Sequence, residues 1–209
     1  PVVDADHHLV GVITVDDLVD VLEDEATEDV QRFGGSVPLG RPYLDTTIVS
    51  SVGKRIGWLL LLFITGTLTG TVMSMYSGLL QSVIILSTFV PLLTGTGGNV
   101  GSQTTATIIR ALAVGDIHTR DALVVIWREF RTALLLGLLL ALGGFVVAQL
   151  LWHSGFEVAL VVALAMLCIV VWSELAGTFL PLLAARVGID AALVSGPLMS
   201  TVVDATGLL

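Results

Sequence analysis

From residue 82 to residue 113 the chain is apolar enough to enter a membrane, yet an unbroken helix over these 32 residues would be roughly 48 Å long at 1.5 Å per residue. The hydrocarbon core of a bilayer is only about 30 Å thick. The segment must therefore tilt, protrude or break, and Pro91, Gly95, Gly97 and Gly98 are the places where it would break. Four more apolar stretches accompany it, at 56–76, 132–152, 158–185 and 191–209. A spanning helix needs about 20 residues, so the pattern predicts an all-α membrane protein with five transmembrane helices per chain. Composition agrees. The chain is 55% hydrophobic and 13% charged, where a soluble domain is about 25% charged. The single cysteine, Cys168, lies in an apolar run, which leaves neither a disulfide framework nor a cysteine-based metal site. The acidic first 40 residues have no apolar core of a signal peptide.

Basic residues predict the orientation. Lys54 and Arg55 precede the first span, Arg110, Arg120, Arg128 and Arg131 lie between the second and third, and Arg186 lies between the fourth and fifth. The connectors 77–81 and 153–157 contain no Lys or Arg. Five spans with a cytoplasmic N-terminus put every one of these bases inside. Splitting the second segment into two spans with an outside loop at 94–105 would break that pattern.

Charge also divides the chain along its length. Residues 1–40 hold ten acids and one base, Arg32, whereas residues 41–209 hold eight of each. An acidic head thus precedes a neutral membrane body. In the head, LVGVIT (9–14) reads as a strand. Thr14, with Asp17 three residues on, reads as the capping box of a helix whose Val15, Leu18, Val19 and Leu22 form a face for burial. A second acidic helix is expected over roughly 26–33, ended by Gly34-Gly35, and SVPLGRP (36–42) reads as a linker. One strand and one helix do not make a core, so the head is expected to be part of a larger domain.

Polar residues within the spans carry the functional signal. TGTGGNVGSQTT (94–105) has two readings. Its small residues let helices approach closely, or Asn99, Gln103, the Thr hydroxyls and freed carbonyls face a polar passage. Asp204, in PLMSTVVDATGLL, has only Ser200, Thr201 and Thr206 as polar company, and an acid at membrane depth marks an ion or proton route by default. Glu174 has three readings: pairing with a helix-end Arg, packing as a protonated acid, or acting in transport. Asp, Asn, Thr and backbone carbonyls form an all-oxygen set that suits a hard cation such as Mg²⁺. One Asp per chain is thin for a site, so a two-fold homodimer with Asp204 near its axis is expected. His7, His8, His118 and His153 read as turn or connector residues, and the four Trp as interfacial or packing residues.

Three stretches resemble the MgtE magnesium transporters. PLLTGTGGNVGSQTTATIIRALAVGDI (91–117) is similar to that family's second membrane helix. LPLLAARVGIDAALVSGPLMSTVVDATGLL (180–209) is similar to its fourth-to-fifth helix region, and HLVGVITVDDLVDVLEDEATEDVQRFGG (8–35) to the end of a second CBS domain running into a plug helix. The resemblance implies an α/β CBS remnant at 1–25, plug helix and linker at 26–54, and a pore domain at 55–209. It implies a homodimer in the bacterial inner membrane that takes up Mg²⁺ passively and is gated by Mg²⁺. The pore ligands would be Asp204, Asn99 and Thr201, lined further by Thr94, Gly97, Gly98, Gln103 and Ala205. Asp16, Asp17, Asp20, Glu23, Glu25, Glu28 and Asp29 fall where the family's regulatory acids cluster. The family's N-terminal domain and most of its CBS pair have no counterpart in this sequence, and its fifth helix usually runs further.

The rival to a channel is a proton-coupled carrier using Asp204 or Glu174. No enzyme is expected: an aspartyl hydrolase needs two acids at one site, and Asp204 with Glu174 is the single pair on offer. Mg²⁺, the lipid bilayer and a second copy of the chain are the expected partners, and nucleic acid is not.

Overall fold

The computed structural model describes residues 1–207, with positions 79 and 82 described by backbone only. Strands β1 (Val2–Val3) and β2 (Leu9–Gly11) form a short antiparallel hairpin. Its turn is held by Asp4, whose Oδ1 accepts the N–H groups of Asp6 and His8 at 2.9 Å each, while His7 adopts φ +63°.

Helix α1 (Val15–Phe33) begins with the expected capping box. Thr14 accepts the Asp17 N–H at 3.4 Å, and the Asp17 carboxylate accepts the Thr14 hydroxyl at 2.7 Å and its N–H at 2.8 Å. The two expected head helices are one. EDEATED (23–29) contains no glycine or proline, so nothing stops the helix before Gly34-Gly35, where Gly35 at φ +73° turns the chain. The expected burial of its apolar face is also corrected: Val15, Leu18, Val19 and Leu22 are all more than half exposed, because the hairpin alone offers them no surface.

The Asp17 carboxyl is held below its ordinary value, chiefly by the Thr14 hydroxyl and then by the Thr14 N–H. A carboxyl whose folded pKa is depressed stabilises the fold above its unfolded value of about 3.9, and that contribution is lost as pH falls through the folded value. Amide exchange over residues 15–18, corrected for intrinsic rates, should accelerate across that window. An Asp17→Asn variant should show high exchange with no such pH step.

The membrane body consists of α2 (Ile48–Met75), the short α3 (Ser77–Ser82), α4 (Ile84–Ala113), α5 (Ala122–Val146), α6 (Phe156–Arg186) and α7 (Gly196–Thr206). A π-helical turn at Val147–Leu151 continues α5. Helix α4 does not break and runs as one helix of 30 residues, about 45 Å. It is helical through Pro91 and through 94–105, so of the two readings of that stretch the one with irregular backbone and freed carbonyls does not hold. Upstream, the Ser87 and Thr88 hydroxyls donate to the carbonyls of Ile84 and Ile85 at 2.6 Å. Helices α2, α4, α5 and α6 are long and apolar enough to cross a membrane. The fifth expected span differs: Ala191–Leu193 is a 3₁₀ turn and α7 has 11 residues, about 16 Å of helix. Leu208 and Leu209 lie outside the described residues.

The core lies among α4, α5, α6 and α7. Val100, Ala141, Met166, Ile169, Val170, Met199 and Val203 form its main cluster. A second cluster at the other end gathers Phe89, Ala148, Ala159 and Val162. Helix α2 has no buried residue and packs on α7.

Candidate functional site

Helices α4 and α7 lie antiparallel and in close contact because glycine lines their shared face. The Ser102 hydroxyl donates to the Gly196 carbonyl at 3.1 Å. A Cβ on Gly98 would stand 3.1 Å from Ser200 Oγ, and one on Gly97 would stand 2.7 Å from Val203 and 2.9 Å from Ile169. Gly97 and Gly98 therefore sit in the helix contact rather than on an open surface, where the packing alternative places them. This register sets Asn99 at the depth of Ser200 and Thr201, and Asp204 at the depth of residues 94–96.

The polar side chains turn the other way. Asn99 and Gln103, four residues apart and so on one face of α4, are exposed, as is Thr107 one turn on. Thr94, Thr201, Asp204 and Ala205 are half-buried. Thr94 and Thr201 donate their hydroxyl protons to the carbonyls of Val90 and Pro197 at 3.1 and 3.0 Å, which leaves their oxygen lone pairs as acceptors. Among the described residues, no base pairs with Asp204. One side of the chain thus presents amide, hydroxyl and carboxylate oxygens from two packed helices.

The profile of the MgtE family, described as a divalent cation transporter, matches residues 90–209, more than half of the chain. The chain belongs to the MgtE family. It is 41% identical over its whole length to a protein of Thermus thermophilus named magnesium transporter MgtE, of which it covers 46%. Proteins of the same name from Enterococcus faecalis and Bacillus subtilis are 34% and 32% identical, again across the whole chain and over 45% and 46% of their own lengths. The chain thus spans just under half the length of these relatives. Members of the family are transporters rather than enzymes, and the long apolar helices make this chain a multi-pass membrane protein.

The buried acid Glu174 of the MgtE membrane body is arranged differently from Asp204. Glu174, on α6, is 4% exposed. Thr104 of α4 and half-buried Glu129 of α5 are its polar neighbours, although the Thr104 hydroxyl itself donates to the Val100 carbonyl at 3.0 Å. Glu129 was invisible as a site residue in the sequence because the apolar run begins at 132, ten residues after α5 does. Among the described residues, the helix-end Arg partner among the readings for Glu174 is not formed.

The head acids Asp16, Asp17, Asp20, Glu23, Glu25, Glu28 and Asp29 all lie on α1. Asp17 is engaged with Thr14 and Glu28 with Arg32. Asp4, Asp6 and His8 form an exposed cluster in the hairpin turn.

The end of α1 touches the start of α7, a junction not foreseen from sequence. Arg32 bonds Asp190, whose other oxygen caps the following 3₁₀ turn through the Ala192 N–H at 2.9 Å. Asp190, ahead of Glu28 and Asp29, holds the Arg32 guanidinium above its already high ordinary value. The Phe33 ring lies where a Cβ on Gly196 would meet it at 3.4 Å. Trp58 of α2 donates to Ser195 Oγ at 3.2 Å, and Ser195 in turn caps α7 through the Leu198 N–H. The end of α1 is therefore in direct contact with the turn and the first residue of the helix that carries Asp204.

Proposed function

We propose that this chain forms the membrane part of a gated, passive path for Mg²⁺. The observation that carries the reading is the polar face of α4 and α7. Exposed Asn99 and Gln103 stand beside half-buried Thr201 and Asp204 on one side of a membrane bundle. Amide and carboxyl groups facing hydrocarbon cost free energy, so this side needs water or another protein surface. A second copy across a two-fold axis supplies both, covering the face and doubling the carboxylate. Mg²⁺ as the cargo extends to this chain what the names of its relatives say of them. A hard, tightly hydrated dication suits this all-oxygen set, with Asp204 as the charge, Asn99 and Thr201 as ligands to the ion or its water, and Thr94, Gln103 and Ala205 along the wall.

In this reading residues 1–25 end a CBS domain, residues 26–54 are plug helix and linker, and residues 55–209 are the pore domain. The N-terminus faces the cytoplasm of a bacterial cell and the pore lies in its inner membrane. The acids of α1 bind Mg²⁺ when the ion is plentiful. Their mutual repulsion is then relieved, and the contacts of Arg32 and Phe33 carry the change to α7.

The test is Mg²⁺ entry into proteoliposomes with potential and pH controlled separately. Flux should follow an inside-negative potential, which supplies about 2.3 kcal/mol per charge per 100 mV, and should ignore a pH gradient. Uptake driven by a pH gradient at zero potential would instead favour the proton-coupled alternative. Buried Glu174, with half-buried Glu129 as its neighbour, favours that second reading.

A further inference from the structure

The linker between α1 and α2 is strapped down in a way that leaves one arginine over a cavity. Lys54 spends its ammonium on the carbonyls of Pro38 and Leu39, and the Val37 N–H donates to the Lys54 carbonyl at 3.1 Å. Gln31 of α1 accepts the Leu39 N–H at 2.7 Å from the other side. Between the strap, the end of α1 and the start of α2 lies a cavity of about 420 Å³. Its lining is amphipathic: Val30, Leu39 and Leu59 are apolar, while Arg55 and Tyr43 bring a guanidinium and a phenol. The same Arg55 and Tyr43 line the neighbouring surface hollow as well, so both side chains stand between two open spaces. Among the described residues Arg55 has no acidic partner.

Placement identifies the occupant. Arg55 immediately precedes the apolar run of α2, which puts its charge at the boundary of the hydrocarbon. Below it, Leu59 and Phe63 are more than half exposed along α2. A ligand that fits has an anionic head for Arg55, an acceptor for the Tyr43 hydroxyl, and an apolar tail to run past Leu59. A phosphodiester headgroup with acyl chains meets all three demands, whereas free phosphate meets only the first two. We infer that the cavity between α1, the linker and α2 is a binding site for one anionic phospholipid, with its phosphate on Arg55 and Tyr43 and its chain along Leu59. The inference rests on the membrane placement of α2 and not on the ion-path reading. A lipid so placed would bridge the head and the membrane body next to the contact of Arg32 with Asp190.

The experiment is native mass spectrometry of the protein released from nanodiscs of mixed phosphatidylglycerol and phosphatidylcholine. The unmodified protein should retain phosphatidylglycerol in preference to phosphatidylcholine. Arg55→Gln should cut that preference about fivefold, the factor for one Arg near a charged lipid surface. Arg186→Gln, at another helix end, should leave it unchanged, and millimolar inorganic phosphate should not displace the lipid. Equal losses in the two variants would reduce the effect to general surface charge and overturn the site. Displacement by phosphate would make it a site for soluble anions and overturn the lipid assignment. Retention unaffected by Arg55→Gln would overturn it outright. Mg²⁺ flux through Arg55→Gln, measured in phosphatidylcholine alone, tests the ion path separately.

Discussion

Asp204→Ala is expected to reduce potential-driven Mg²⁺ flux to the level of empty liposomes. At an effective dielectric of 20, unit charges 4 Å apart attract by about 4 kcal/mol, and a dication feels about twice that. Asp204 is half-buried, and among the described residues no base competes for it. Hydroxyl and amide oxygens along α4 and α7 do not replace such a charge, since Thr94 and Thr201 offer only lone pairs. Asp204→Asn, which keeps the shape and removes the charge, should fail as completely. Flux retained in the Asn variant would mean that the carboxylate is structural. Glu174→Gln gives the contrast. Glu174 lies inside the bundle against Thr104 and Glu129, away from the polar face, so on the channel reading its amide should conduct normally. Loss of flux in Glu174→Gln with flux kept in Asp204→Asn would move the ion route to Glu174 and support proton coupling.

The elements were legible in the sequence wherever a local rule decides them. Hydrophobic length gave α2, α4, α5 and α6, because a membrane span must satisfy its own backbone hydrogen bonds and only a helix does so with one segment. The α1 start was legible from Thr14 and Asp17 because a capping box is a contact of residues three apart. The ends were less so. Helix α2 begins at Ile48 and α5 at Ala122, ahead of their apolar runs, since a helix continues into water wherever no breaker stops it. The glycines of 94–105 left broken backbone and close packing both open; the packing alternative holds for Gly97 and Gly98, because a glycine in a membrane helix is stable when a neighbour fills its space, and Ile169, Ser200 and Val203 do so. Contacts between distant residues left no local trace. Nothing near Glu129 in the chain announces Glu174, and nothing near Arg32 announces Asp190. Asn99, Gln103 and Asp204 were legible as polar residues in apolar surroundings. That Asn99 and Gln103 share an open face depends on which side of α4 the other helices cover.

Gly177→Val is expected to prevent the membrane body from folding, and Gly177→Ala to lower its melting temperature in detergent. Gly177 lies where α6 crosses α4. A Cβ there would stand 2.6 Å from the Gly101 carbonyl oxygen, 3.1 Å from Thr104 Cβ and 3.2 Å from Thr105 Oγ1. The first of these is backbone, which has no rotamer to give way, so the helices must move apart. That would also stretch the bond from the Thr105 hydroxyl to the Gly177 carbonyl, now 3.3 Å, and loosen Thr104 from Glu174. Overpacking by one methyl group costs about 1–3 kcal/mol, and valine adds two more carbons to the same gap. Elsewhere glycine to alanine in a helix interior is favourable by about 0.5–1 kcal/mol. Gly143 of α5 supplies that case, since nothing approaches its Cβ position within 4 Å. The two alanine variants should therefore shift the melting temperature in opposite directions. If Gly177→Ala melted with Gly143→Ala at or above the parent, α4 and α6 would not be in the contact that places Glu174 inside the bundle and turns Asn99 outward.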